Sequence, residues 1–194
     1  MPNKLVEYFR QIHPLSDVEA QAIEDSMVLK SFAKGTVLLS EGQISTECYF
    51  VWEGCVRQYY LVGGEEKTNN FFTEGQWVIS LNSFMQQLPA DHFFVCAEDT
   101  TLVVGNAERE NDLYAQFPKF ETISRKVMER VVAEHQQRMA SYITDTPEQR
   151  YLKLLEGRPD IAQRIPQYQI ATYVGVKPES LSRIRKRLLV SDKF

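Results

Sequence analysis

The sequence has 194 residues and lacks the long hydrophobic runs of a membrane protein. No uninterrupted apolar run is longer than that of residues 93–97, whereas a membrane-spanning helix needs roughly 20 apolar residues. Residues 1–12 include Lys4, Glu7 and Arg10, so they lack the apolar core of a secretory signal. We therefore expect a globular protein of the cytoplasm that has no membrane partner.

Cysteine, glycine and proline are also scarce. Cys48, Cys55 and Cys96 form no C-x-x-C pair and have no histidine at metal-ligand spacing, which argues against a zinc or iron–sulfur site. We predict that the three thiols are buried and that the protein carries no metal and no cofactor. The nine Gly and eight Pro residues, beside 43% apolar residues, exclude a disordered or collagen-like chain.

An excess of basic residues, the usual mark of a nucleic-acid-binding protein, is absent from the chain as a whole, whose formal net charge is −4. The charge is nevertheless segregated. Residues 144–194 hold ten of the 22 Lys and Arg residues but only six of the 26 Asp and Glu residues, which gives +4 there and −8 in residues 1–143. The C-terminal quarter therefore retains the charge that phosphate binding requires.

The pattern of apolar residues predicts a β domain behind short N-terminal helices. Ser16 and Glu19 have the spacing of a capping box that opens a helix. From about Lys30 the chain changes to short β-type runs separated by glycines, which predicts an antiparallel β-roll or jelly roll over residues 30–105. The runs cover residues 37–39, 49–52, 56–62, 70–72, 77–79, 93–95 and 102–104.

A single long helix is predicted over residues 118–143, because apolar residues recur there every three or four positions without an internal Gly or Pro. Its stripe either packs on its own domain or pairs with a second copy of the helix. We favour the second use, a seam in a homodimer. The predicted seam residues are Phe120, Ile123, Val127, Val131, His135 and Met139.

A third segment begins at Thr146, where Thr146, Pro147 and Gln149 form a capping box with proline at the first helical position. The predicted organisation is a sensor domain over 1–117, a connecting helix over 118–143 and a helical domain over 144–194. The fold class is α+β.

Residues 167–189 have the pattern of a helix-turn-helix. Ala171 is small enough for a close helix crossing, Gly175 permits the tight turn four residues later, and Leu181 starts the inner face of a second helix. The alternative is a surface helix whose basic face is exposed to solvent and binds nothing, but the +4 charge of residues 144–194 favours DNA binding. Base readers are expected at Lys177, Glu179, Ser180 and Arg183, and phosphate contacts at Arg185, Lys186 and Arg187.

The order of β-roll, long helix and helix-turn-helix resembles the Crp/Fnr family of bacterial transcription regulators. Residues 35–42 resemble the family's G-x-x-L-x-x-x-G hairpin, and residues 50–57 resemble its Y-x-x-x-x-G-x-V strand pair. The resemblance implies a regulator that is not an enzyme, binds a palindromic site on double-stranded DNA as a homodimer, and senses a small-molecule effector in the roll. It also implies RNA polymerase as a candidate partner.

The family's cyclic-nucleotide ligands are not expected to bind here in the usual way. Family members hold the ribose with a Glu and the phosphate with an Arg, and an ungapped comparison finds Ser80 at the first position and Ala90 or Asp91 at the second. The candidate pocket for an effector of unknown identity consists of Trp77, Ser80, Leu81, Asp91 and His92.

Two other functions are compatible with the same pattern. A cupin-like jelly-roll metalloenzyme would need a cluster of histidines, whereas residues 1–117 offer only His13 and His92. A dimeric interaction module that has lost DNA binding is the other. The chain ends five residues after Leu189, so we expect the β-hairpin wing that follows the recognition helix in many family members to be short or absent.

Overall fold

The computed structural model describes residues 3–191 of the chain, with side chains for residues 3–188. The chain forms two compact units. One contains the residues up to Gln58 and Phe71–Ala133, and the other contains Tyr59–Asn70 and the residues from Glu134 onward. The predicted boundaries at 117 and 143 do not separate these units, because a hairpin from the middle of the roll is grouped with the C-terminal helices.

The predicted antiparallel roll is present as two four-stranded sheets, with strand orders β1-β8-β3-β6 and β2-β7-β4-β5. Neighbouring strands pair antiparallel wherever a register is resolved, as in Tyr49 opposite Val104 and Val51 opposite Leu102. The strands are β1 Leu29–Phe32, β2 Val37–Leu39, β3 Cys48–Glu53, β4 Val56–Val62, β5 Glu65–Phe72, β6 Trp77–Val78, β7 Phe93–Cys96 and β8 Thr100–Gly105.

Strand β3 is apolar on both faces because both faces are covered. Side chains alternate along a strand, so Tyr49 and Val51 face the interior of the roll, where they pack with Leu102 and Phe94. Phe50 faces the other way, into a second core that the helices cover. A strand buried on both sides shows a continuous apolar run rather than an alternating pattern, as the sequence does at 48–52.

The helices of the first unit cover the outer face of the β3–β8 sheet. Helix α2 begins with the predicted capping box, in which Ser16 and Glu19 satisfy each other's backbone N–H groups. The sequence pattern missed α4, whose N-cap Asn106 accepts from the backbone of Arg109. The helices here are α1 Lys4–Arg10, α2 Asp17–Ser26, α3 Leu81–Gln86, α4 Ala107–Gln116 and the first part of α5 Lys119–Thr144.

Helix α5 confirms the predicted long helix but corrects the role of its first half. Phe120, Ile123 and Val127 are buried in the core of their own unit, with Val131 packed at its edge. Their side chains pack against α1, α2 and the sheet, so they are not free for a seam with a second copy. Helical periodicity predicts that a face is buried, but it does not distinguish an intramolecular core from a partner helix.

The C-terminal helices are α6 Pro147–Gly157, α7 Ile161–Arg164, α8 Gln167–Val174 and α9 Pro178–Ser191. The capping box predicted at Thr146 and Gln149 is present at the start of α6. These helices enclose a small apolar core that includes Tyr151, Leu154, Ile161, Ile165, Ile170 and Leu181. Among the described residues, no helix is both long and apolar enough to cross a membrane.

Candidate functional site

Helices α8 and α9 pack closely around a small residue. Ala171 of α8 is fully buried, and Leu181 and Ile184 on the inner face of α9 are buried as well. A larger side chain at Ala171 would separate two helices whose remaining contacts depend on close approach. The sequence identified these residues correctly as the inner face of a helix-turn-helix.

The turn between the helices requires glycine. Gly175 has φ +78°, in the left-handed region, and its N–H together with that of Val176 bonds back to carbonyls of α8. Arg150 of α6 donates from Nε (3.0 Å) and Nη2 (2.7 Å) to the carbonyl of Val174. Arg150 also donates to the Asp145 carbonyl at 2.6 Å, so it holds the turn to the start of α6. In the sequence, Arg150 is only one of the ten basic residues of 144–194, and no motif marks its role in the turn.

The predicted base readers lie together at the N-terminal end of α9. Lys177, Glu179 and Arg183 are exposed and Ser180 is half-buried. Glu179 and Arg183 are four residues apart, so they project from one side of the helix. A helix in the major groove reads bases with side chains at this end, and an arginine there can bond guanine O6 and N7.

The predicted phosphate contacts are less uniform. Lys186 is exposed, whereas Arg185 donates from Nη1 to Gln167 Oε1 at 2.9 Å and Arg187 forms an ion pair with Glu148. Exposed polar pairs of this kind contribute little stability, so a phosphate can replace Gln167 as the partner of Arg185, or Glu148 as the partner of Arg187. The wing, expected to be short or absent, would follow Leu189, and residues 192–194 of that segment lie outside the described part of the chain.

The predicted effector residues do not form one pocket. Trp77 belongs to the outer core, where its ring stacks on Phe9 at a centroid distance of 6.2 Å and meets Phe50 edge-on at 5.4 Å. It faces the helices rather than the interior of the roll, so its assignment to the pocket is wrong. An aromatic residue in a short β-type run gives no indication in the sequence of which face it takes.

The remaining effector residues lie on α3 and the loop after it. Ser80 is buried and Leu81 is half-buried at the start of α3. His92 is buried, donates from Nδ1 to Asp91 Oδ1 at 2.8 Å and packs against the Phe94 ring at 4.8 Å. The Asp91 side chain is 81% exposed, so this carboxylate faces solvent.

The resemblance expects a phosphate-binding Arg at Ala90 or Asp91, but Ala90 is a packed residue of the roll. Ala90 is buried, and its backbone N–H and C=O pair with Gln43 O and Gly42 N, both at 2.8 Å.

The roll contains a buried cation at another position: Arg57 on β4 is 5% exposed. In the sequence, Arg57 follows apolar Val56 as a solvent-facing strand residue would, so nothing local marks it as buried. Burying a guanidinium is costly unless it is compensated, and Arg57 does interact with other groups of the chain.

The cysteines are reduced and buried. Burial and the nearby Glu110 raise the pKa of Cys48, which donates to Glu110 Oε1 at 3.6 Å, and burial raises the pKa of Cys96 to about 11. Thiols of this kind are weak nucleophiles and weak metal ligands. Within residues 3–191, no three His, Cys, Asp or Glu side chains are close enough together to hold a metal ion.

Comparisons with known proteins agree with this architecture. Residues 29–117 match the family model of the cyclic nucleotide-binding domain. No curated protein sequence matches the chain. The solved structure of CLP from Xanthomonas campestris, described as a c-di-GMP responsive global regulator, is 15% identical, with 91% of this chain and 93% of that chain covered and a TM-score of 0.70.

Two further structures are similar over most of their length. FixK2 from Bradyrhizobium japonicum is 17% identical, with 86% of each chain covered and a TM-score of 0.68. A regulator of the Crp/Fnr family from Eubacterium rectale is 18% identical, with 95% of this chain and 88% of that chain covered and a TM-score of 0.69. The chain therefore has the fold of these regulators, with residues 29–117 similar to the cyclic nucleotide-binding domain, and the resemblance predicted from the sequence is confirmed for the fold.

Proposed function

We propose that this chain is a DNA-binding transcription regulator, without enzymatic activity, that reads a palindromic site as a homodimer. The observation that carries the proposal is the pairing of α8 and α9. Fully buried Ala171 and left-handed Gly175 set the crossing, and the exposed side of α9 presents Lys177, Glu179 and Arg183. An interaction module that had lost DNA binding would not need this arrangement.

The charge distribution supports DNA as the partner. The formal charge of +4 over residues 144–194 is opposite in sign to that of DNA, whereas residues 1–143 carry −8. Each Lys or Arg that contacts phosphate releases condensed counterions, so the affinity falls as salt is raised. We expect Lys186 to contribute chiefly to this nonspecific part, and Arg183 chiefly to base recognition.

The dimer seam is proposed for the second half of α5. Val132 and Met139 are 40% and 54% exposed, and half-buried His135 lies between them at a spacing of three and four residues. This is the spacing at which helices pair in a coiled coil. Paired helices would place two copies of α9 about one turn of DNA, roughly 34 Å, apart.

The effector is proposed to differ from cyclic AMP and cyclic GMP. Ser80 stands where the resemblance expects the ribose-binding Glu, and Ala90 or Asp91 stands where it expects the phosphate-binding Arg, so neither expected charge is present. A charge-assisted hydrogen bond contributes about 1.5–3 kcal/mol, so its loss lowers affinity roughly ten- to a hundredfold.

The test uses a duplex selected from a random pool with the full-length protein. Arg183→Ala should lower affinity for this duplex and relax the preference at one position of each half-site. Lys186→Ala should weaken binding to all sequences and reduce the salt dependence. Arg125→Ala, an exposed change on the first half of α5, is the matched control and should leave binding unchanged. Equal losses from the α9 changes and the control would contradict the proposal.

A further inference from the structure

We infer that the first unit has a ligand site on the helical side of the β1-β8-β3-β6 sheet, for a small amine with an apolar body. The site is a cavity of about 450 Å³ that is bordered by the sheet, α1, α2, α3, α4 and the first half of α5. Ligand pockets in proteins have volumes of about 300–1,000 Å³. All of the residues that line the cavity belong to the unit formed by the residues up to Gln58 and Phe71–Ala133.

The cavity is distinct from the effector pocket that the sequence predicts in the roll. Trp77 lines the cavity from the sheet, because its ring faces the helices, whereas Ser80, Leu81, Asp91 and His92 do not line it. No residue of α9 lines it either. A ligand in this cavity would therefore contact none of the predicted base readers and, of the predicted effector residues, only Trp77.

The wall of the cavity is mostly apolar and rich in aromatic rings. Aromatic rings pack against apolar bodies and also attract a cation placed over their faces. Methionine side chains are flexible, so they adapt to apolar ligands of different shapes. The aromatic residues of the wall are Phe9, Trp77, Phe84, Tyr114 and Phe120, and its methionines are Met27, Met85 and Met128.

A half-buried carboxylate interrupts this apolar wall. Glu110 lies in the first turn of α4, where burial raises its pKa. It accepts hydrogen bonds from Cys48 Sγ at 3.6 Å and from the Tyr114 hydroxyl at 3.4 Å, both of which are long and come from neutral donors. Within residues 3–188, no Lys, Arg or His forms an ion pair with Glu110. A carboxylate removed from water without a cation is costly, so this position favours a cationic ligand group.

The groups around Glu110 are affected by its uncompensated charge. Burial is the main cause of the raised pKa of Tyr114, which is about 12, and of the raised pKa of Cys48, and the negative charge of Glu110 adds to both shifts. An ammonium group beside Glu110 would oppose these effects and favour the ionised carboxylate. It would also supply the charge-assisted hydrogen bond that the neutral donors do not provide.

The other charged residues among the described ones that line the cavity are exposed at its mouth. Arg109, Glu121 and Arg125 are exposed, and Arg125 Nη1 lies 2.6 Å from Glu129 Oε1. These four charges sum to zero, and water and salt screen them. Glu110 acts across a less polar medium, in which a charge has a stronger effect. The electrostatics of the cavity therefore favour an ammonium group at Glu110 over an anion at the mouth.

The experiment is a calorimetric titration of the full chain with three probes that share a naphthyl body. 2-(1-Naphthyl)ethylamine carries an ammonium group, 2-(1-naphthyl)ethanol a hydroxyl and 1-naphthylacetate a carboxylate. We expect one amine to bind per chain, with at least about tenfold higher affinity than the alcohol or the carboxylate. Glu110→Gln should remove this preference and leave the affinity for the alcohol nearly unchanged. Glu108→Gln, which changes an exposed carboxylate in the same turn of α4, is the matched control and should bind all three probes as the wild type does.

A second variant tests the location of the probe independently of charge. Ser124 lines the cavity from α5 and is half-buried. A leucine there would fill part of the cavity, so Ser124→Leu should lower the affinities for the amine and for the alcohol by a similar factor. The thermal melting of each variant is measured alongside. Glu110→Gln should melt at or above the temperature of the wild type, because it removes a charge whose burial is not compensated.

Several results would overturn the inference. Equal affinities of the wild type for the amine and the alcohol would mean that Glu110 does not recognise the ligand. Equal amine binding by Glu110→Gln and Glu108→Gln, or unchanged binding by a folded Ser124→Leu protein, would place the probe outside the cavity. The titration contains no DNA, so its outcome is independent of whether α9 reads DNA.

Discussion

Replacing Gly175 with alanine tests whether the turn between α8 and α9 has the geometry described. At φ +78° an L-residue other than glycine costs about 1–2 kcal/mol. The new Cβ would also lie 3.2 Å from Arg150 Nη2 and 3.4 Å from the Tyr142 hydroxyl. Arg150 cannot retreat without loosening its bonds to the Val174 carbonyl. We expect a total destabilisation of about 1–3 kcal/mol.

The assay is thermal unfolding followed by helical circular dichroism, beside DNA binding. In a unit of this size each 1 kcal/mol lowers the Tm by about 4–8 °C. Gly157→Ala is the control, because Gly157 ends a helix, has no positive φ and has no atom within 4 Å of a new Cβ. That change should leave stability equal or slightly higher. A Gly175→Ala protein as stable as the Gly157→Ala protein would refute the assignment of the turn.

Three other predictions concern the unit that contains the roll and the N-terminal helices. Hydrogen bonds from Lys119 and Ser16 lower the pKa of Glu19 to about 2, so its contribution to stability is complete above the unfolded pKa of about 4.3 and disappears as the pH falls toward 2. In Glu19→Gln, the midpoint of urea unfolding should depend less on pH between these limits. A pH dependence equal to that of the wild type would exclude a stabilising role for the Glu19 carboxylate. The buried thiols should react with Ellman's reagent only after unfolding, and rapid labelling of Cys48 in the native protein would contradict its burial. Calorimetry with cyclic AMP should show no binding in the micromolar range. A micromolar affinity would contradict the proposal that the effector differs from cyclic AMP.

Local signals allowed much of the fold to be predicted. The two capping boxes at Ser16 and Thr146 depend on side chains three residues apart, and both are present. The helix-turn-helix was equally accessible, because a small residue, a glycine and an apolar inner face are required at fixed spacing. Nearby residues in the chain are sufficient to specify such features.

Features that depend on distant packing could not be predicted. The buried stripe of Phe120, Ile123 and Val127 is the same in the sequence whether α1 or a second copy covers it. Trp77 could face either side of its strand until the helices of the outer core were placed. The grouping of the 59–70 hairpin with the C-terminal helices leaves no periodic signal in the sequence.

Selection of bound duplexes from a random pool tests the central claim most directly, with wild-type protein and Arg183→Ala in parallel. The account predicts that wild type enriches a palindrome whose half-sites are centred about one helical turn apart. It also predicts that Arg183→Ala retains the spacing but loses preference at one position in each half-site. Enrichment of no sequence by the wild type, or of the same sequence with the same preference by both proteins, would contradict the proposal that α9 reads DNA.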